Sequence, residues 1–144
     1  MSGLFLGLAP GEKFIVNGAL LENGDKPSRI RVLENSARVL RCADALRPEE
    51  VNTPVKQVYY AIQLLITGDL EEHDTLPAIL KECASLAHAF EPIDTKLIGT
   101  LVNMLEAGRY YSALNHLRRV LKLEESLLSL SHAPSDEPGA RKVA

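Results

Sequence analysis

The residues best suited to metal binding or nucleophilic chemistry in this sequence are four histidines, His73, His88, His116 and His132, and two cysteines, Cys42 and Cys83. A zinc site needs several nitrogen or sulfur ligands converging on one point. No two of these histidines stand four residues apart on a helix turn, and neither cysteine belongs to a Cys-x-x-Cys pair. The acidic run Glu71-Glu72-His73-Asp74 could hold a hard cation. It reads more simply as a solvated loop whose carboxylates favour the N-terminus of the helix that follows. Cys83 falls within an apolar helical stripe and reads as a core thiol, while Cys42 stands between Arg41 and Ala43 with no base in view. Forty-one positions separate the two cysteines, and nothing in the composition suggests a disulfide framework. Serine-hydrolase elbows, phosphate loops and dinucleotide fingerprints are absent. The expectation is a non-enzyme without metal or cofactor.

Charge is the remaining chemical signal. The whole chain of 144 residues carries a net charge of −3, so any grip on a polyanion must be local. Between Lys26 and Arg47 six basic residues (Lys26, Arg29, Arg31, Arg38, Arg41 and Arg47) face two acidic ones, a balance of +4. Between Ala61 and Glu91 one lysine meets six acids, a balance of −5. Arginines in a row on a sheet face can contact phosphates, and their planes can stack on unpaired bases. The plainer alternative is a solvated strand face whose charges protect a sheet edge. No aromatic residue is interleaved with these arginines in the sequence, and no ribonucleoprotein or KH-type motif accompanies them.

The elements that must position these groups fall into two halves. Residues 1–47 read as a β module of four or five short antiparallel strands, counting Leu4 to Leu8. Two Asn-Gly pairs, Asn17-Gly18 and Asn23-Gly24, supply residues that accept the positive φ of tight hairpin turns. The stretch "SRIRVLENSARVLR" alternates, with Arg29 and Arg31 on one face and Ile30 and Val32 on the other. A turn near Glu34-Asn35-Ser36 leads to Arg38–Arg41. Gly3, Gly7 and Gly11 mark bulges and turns rather than a membrane dimer motif.

Residues 48–130 read as four amphipathic helices joined by short connections, a bundle-like arrangement. Thr53 caps the first with Pro54 at its start, the stripe runs Val55, Val58, Tyr59, Ile62, Leu65 and Ile66, and Gly68 stops it. The second stripe is Leu76, Ile79, Leu80, Cys83, Leu86, Ala87 and Phe90. A third runs from Asp94 as cap to Gly108, and a fourth covers Tyr110, Leu114, Leu117, Leu121 and Leu128. "EAGRYYSAL" looks like one tetratricopeptide seam, but without a repeat it reads as a packed helical corner. Tyr60 and Tyr111 are candidates for a partner surface. Residues 131–144, rich in Pro, Ser and charge, read as a disordered tail. The fold class expected is α+β. No stretch approaches a spanning helix or a signal peptide, so a cytoplasmic protein without membrane contact is expected.

Three stretches taken together, "LAPGEKFIVNGALLENGD", "LRCADALRPEEVNTPVKQVYYAIQLLITGD" and "EAGRYYSALNHLRRVL", resemble the FlbT family of flagellin-synthesis repressors over roughly residues 4–128. The resemblance implies a cytoplasmic regulator of flagellum biogenesis. It would act after transcription, associating with the 5′ untranslated region of flagellin mRNA and promoting its degradation, alongside a FlaF-type regulator. No RNA-contacting positions are carried over from the family. The basic set from Lys26 to Arg47 is therefore a reading of this sequence alone. In this reading the helical half recruits a partner or pairs with a second copy of the chain; the second reading is a protein-interaction module that binds flagellin, an export factor or FlaF and affects the message indirectly. A looser likeness links the turn-rich start and basic strand to RNA-binding β proteins of the carbon-storage-regulator type.

Overall fold

The computed structural model describes residues 4–34 and 37–132. Five strands come first, β1 (Leu4–Leu8), β2 (Lys13–Val16), β3 (Ala19–Glu22), β4 (Ser28–Val32) and β5 (Val39–Arg41). Four helices follow, α1 (Pro54–Thr67), α2 (Glu72–Phe90), α3 (Leu97–Glu106) and α4 (Tyr110–His132). The architecture is α+β. The strands form two antiparallel sheets, a β1–β4 ribbon and a three-stranded sheet in the order β3-β2-β5.

The Asn17-Gly18 pair behaves as its chemistry demands. Both residues have positive φ, 50° and 85°, the backbone that lets β2 turn straight back into β3 with matching twist. The second pair differs, because neither Asn23 nor Gly24 has positive φ. At this point the chain crosses from one sheet to the other instead of doubling back, and the side chain of Asn23 supplies the missing bonds. Its Nδ2 donates to the carbonyls of Ala9 (2.8 Å) and Lys26 (3.0 Å), and its Oδ1 accepts from the Ser28 hydroxyl at 2.6 Å. The Gly11 N–H, in a turn with φ of 70°, donates to the Gly24 carbonyl at 2.9 Å and closes the junction.

The connection from β4 to β5 includes residues 35 and 36, so the turn expected there lies partly outside the described residues. The two strands it joins sit in different sheets: β4 pairs with β1, and β5 with β2. That partition decides where the arginines go.

Helix α1 follows the caps that its sequence supplies. Thr53 Oγ1 accepts the Lys56 N–H at 3.2 Å, and Gly68 ends α1 in a left-handed conformation, φ 89°. Helix α2 starts at Glu72, inside the acidic run read as a loop. Glu72 and Asp74 thus occupy its first turn, where the macrodipole favours carboxylates. The Asp94 cap expected for the third helix falls short of it: α3 starts at Leu97 without a side-chain cap bond, Asp94 Oδ1 accepts the Lys96 N–H at 2.9 Å in the turn before, and Gly108 (φ 76°) separates α3 from α4. Leu128, read as part of the α4 stripe, is exposed together with Leu127 and Leu130. Glu124 already meets the start of α1, so the turns of α4 beyond it run past the body of the bundle. Helix α4 takes in Ser131 and His132. The rest of the tail expected from residue 131 lies outside the described residues.

Among the described residues two apolar clusters result, and β5 is the wall between them. Successive strand residues point to opposite faces. Leu40 enters the helical cluster of α1–α4, while Val39 enters a smaller one with Leu6, Leu8, Phe14 and Tyr111. Neighbouring β2 divides the same way, Ile15 packing against the helices and Val16 against the ribbon side. Tyr111 of α4 reaches into the ribbon-side cluster, which ties the β module to the helices.

Candidate nucleic-acid interface

Register builds an exposed basic-aromatic face. In β1 the side chains of Leu6 and Leu8 are buried, so Phe5 and Gly7 point outward. In the facing strand Ile30 and Val32 pack inward, which leaves Arg29 and Arg31 on the same outer face. Phe5 stands directly opposite Arg31, and Gly7 opposite Arg29. The guanidinium carbon of Arg29 lies 4.7 Å from the centre of the Phe5 ring and that of Arg31 lies 5.8 Å away, both within cation–π range. Phe5 nevertheless remains 50% exposed. Among the described residues neither guanidinium has a carboxylate partner. Sequence spacing hid this arrangement, because Phe5 stands 24 positions before Arg29 and 26 before Arg31. The period-2 pattern of both strands was the signal that could have paired them.

Arg38 and Arg41 do not join that face. Arg38 Nη1 donates to the Leu65 carbonyl in the last turn of α1 (2.8 Å), and its Nη2 lies 3.2 Å from Glu72 Oε1. Its plane also lies over the Tyr110 ring at 5.6 Å, and the Tyr110 hydroxyl donates to Glu72 Oε2. Burial and the Glu72 carboxylate push the Tyr110 phenol up. This knot joins the β module to α1, α2 and α4. Its cation sits at a helix C-terminus and its carboxylate at a helix N-terminus, each the favourable end. Arg41 Nη2 donates to the Gly7 carbonyl, and its Nε lies 3.6 Å from Glu12 Oε2. It clips the three-stranded sheet to the ribbon. Arg47 is exposed and paired with Glu49 (3.5 Å) and Glu50 (3.8 Å) in the 3-10 turn before α1. Lys26 is exposed on the loop that feeds β4.

The other candidates are distributed through the fold. Tyr111 is only 8% exposed within the ribbon-side cluster, so its area is spent on the protein's own core and does not form a partner surface. Tyr60 is half-buried on α1. Cys83 is fully buried, which pushes its thiol up to about 11, and Cys42 is exposed. His116 Nε2 lies 2.6 Å from the Leu97 carbonyl, a bond between α4 and the start of α3. Among the described residues no three His, Cys, Asp or Glu side chains gather as a ligand set. No described helix is long and apolar enough to cross a membrane.

Comparison with known proteins gives one consistent result. Residues 4–128 match the family described as "Flagellar protein FlbT". A "Probable flagellum biosynthesis repressor protein FlbT" of Caulobacter sp. (strain K31) is 42% identical over 128 residues, covering 87% of this chain and 95% of that protein. The "Flagellum biosynthesis repressor protein FlbT" of Caulobacter vibrioides (strain ATCC 19089 / CIP 103742 / CB 15) is 29% identical over 141 residues, covering 87% and 89%. A third relative, from Bradyrhizobium diazoefficiens and named "Probable flagellum biosynthesis repressor protein FlbT 1", is 31% identical over 122 residues, 83% of this chain and 81% of that protein. No solved structure matches.

Proposed function

The chain belongs to the FlbT family of flagellar proteins, and on that premise we propose that it acts after transcription, gripping the 5′ untranslated leader of flagellin mRNA with the outer face of its β1–β4 ribbon. Its relatives' names make it a regulator of flagellar gene expression. The observation that carries the finer reading is the pair Arg29 and Arg31, side by side on one face and without carboxylate partners among the described residues. Two such cations want anions, and a phosphate backbone offers them at regular spacing. Lys26 and Arg47 lie exposed and can extend the contact. Arg38 and Arg41 serve from behind, holding the ribbon to the rest of the fold. Occupation of the leader blocks translation and leaves the message open to nucleases, so the reading requires no catalytic group.

The test is titration of labelled flagellin leader RNA with purified protein across a salt series, beside a scrambled RNA. Wild type prefers the leader, and log K falls with log salt by about 0.7 for each phosphate contacted. The Arg29→Gln/Arg31→Gln variant flattens that slope by about 1.4. Equal affinity for scrambled RNA at physiological salt, or a variant with unchanged slope, overturns the reading. The message would then be reached through a protein partner, such as a FlaF-type regulator or flagellin.

A further inference from the structure

We infer that the outer face of the β1–β4 ribbon carries a subsite for a single unpaired RNA base, built on Phe5 between Arg29 and Arg31. This rests on the RNA reading above and narrows it to single-stranded RNA.

The register forces Phe5 outward, where its ring packs against two guanidinium groups instead of entering the apolar cluster behind the ribbon. A strand residue facing water in a sheet of this kind is ordinarily polar. Here the outward position holds a large apolar ring, 50% exposed, directly opposite one arginine and 4.7 Å from the other. Next on the same face is Gly7, and a Cβ built there meets nothing within 4 Å. The result is an open step beside the ring, with the two guanidinium groups close over the ring itself. A nucleobase fits such a step by stacking on ring and guanidinium, with its flanking phosphates near the two cations. Bases inside a duplex have no free face, and the A-form helix shows a protein mainly ribose and phosphate. A subsite made of one ring therefore selects an unpaired base. The arginines alone would accept either form of RNA. Arg41, which holds the Gly7 carbonyl, fixes the step from below as a positioning residue.

The sequence supplies a convenient reporter, since it contains no tryptophan. Phe5→Trp places a single indole at the subsite, where a stacked base quenches its emission. The experiment titrates this variant with a short unstructured RNA and with the blunt duplex of the same sequence, and measures wild-type, Phe5→Leu and Gly7→Val affinities by anisotropy. The subsite predicts quenching by the single strand and none by the duplex. Phe5→Leu weakens single-strand binding by about 5-fold or more and leaves duplex binding and salt slope unchanged. Gly7→Val fills the step without entering the core, so it gives a similar loss with an unchanged melting temperature. Equal quenching by both RNAs, or full single-strand affinity in both Phe5→Leu and Gly7→Val, overturns the subsite. If Arg29→Gln/Arg31→Gln still weakens binding in that case, the RNA reading survives without it. Wild type that binds neither RNA overturns both.

Discussion

Arg41→Met separates positioning from contact more cleanly than any other single change. The Arg41 guanidinium donates to the Gly7 carbonyl and lies 3.6 Å from Glu12, and both side chains are mostly shielded, at 24% and 16% exposure. A hydrogen bond from a charged donor contributes about 1.5–3 kcal/mol. The ion pair adds up to about 1 kcal/mol, and the methionine recovers part of the loss by packing its own stem. The net cost is about 2–3 kcal/mol. For a chain of this length that lowers the melting temperature by about 5–10 °C. Circular dichroism melts and urea unfolding measure the stability, and the RNA salt series run well below the melt measures contact. The structure predicts reduced stability with an unchanged salt slope, because Arg41 faces Gly7 and Glu12 rather than solvent. An unchanged melt together with a slope flattened by about 0.7 would refute this reasoning and make Arg41 an RNA contact.

Three further outcomes follow from the packing. Glu124 of α4 accepts the Thr53 hydroxyl at 2.5 Å and the Val55 N–H at 3.2 Å, so it caps α1 from a neighbouring helix. Glu124→Ala leaves both donors shielded and unpaired, costing about 2–4 kcal/mol in urea unfolding, with Glu124→Gln recovering part of it. A cost under about 0.5 kcal/mol would contradict that cap. A thiol reagent at neutral pH modifies Cys42 quickly and Cys83 only as fast as the protein opens, so rapid labelling of both would contradict the burial of Cys83. Burial raises the Cys83 thiol from 9.0 to about 11 and, helped by the Asp44 charge, the Tyr59 phenol from 10.0 to about 12. The folded state thus keeps protons that the unfolded chain releases. Stability from these groups is intact below pH 9 and falls as pH rises through 11 and 12. Urea midpoints that hold constant across that range would contradict it.

Local chemistry makes much of the fold legible in the sequence. Thr53 with Pro54, Gly68, Asn17-Gly18 and the α1 stripe are all decided by a residue and its near neighbours, and each does what its type demands. The basic face was harder to read because cross-strand partners decide it. Alternation placed Arg29 and Arg31 together, but equal alternation around Arg38 and Arg41 suggested a common face that does not exist. Which sheet each strand enters is a non-local choice, and that choice gave β4 to β1 and β5 to β2. The same choice carried Phe5 to the arginines, an aromatic neighbour that the sequence does not show beside them. Asn23 teaches a related point. Its pairing with Gly24 suggested a hairpin, whereas its amide serves as a hub for a crossing between sheets. Tyr111 looked available because nothing in α4 alone reveals that the ribbon packs over it.

Photo-crosslinking locates RNA on the folded chain. Flagellin leader RNA carrying 4-thiouridine is bound to the full chain and irradiated, and the crosslinked peptides are identified by mass spectrometry. Contact through the ribbon face gives adducts in residues 4–8 and 28–33, centred on Phe5, that vanish in Arg29→Gln/Arg31→Gln. Adducts confined to the helices, or undiminished in that variant, would contradict it.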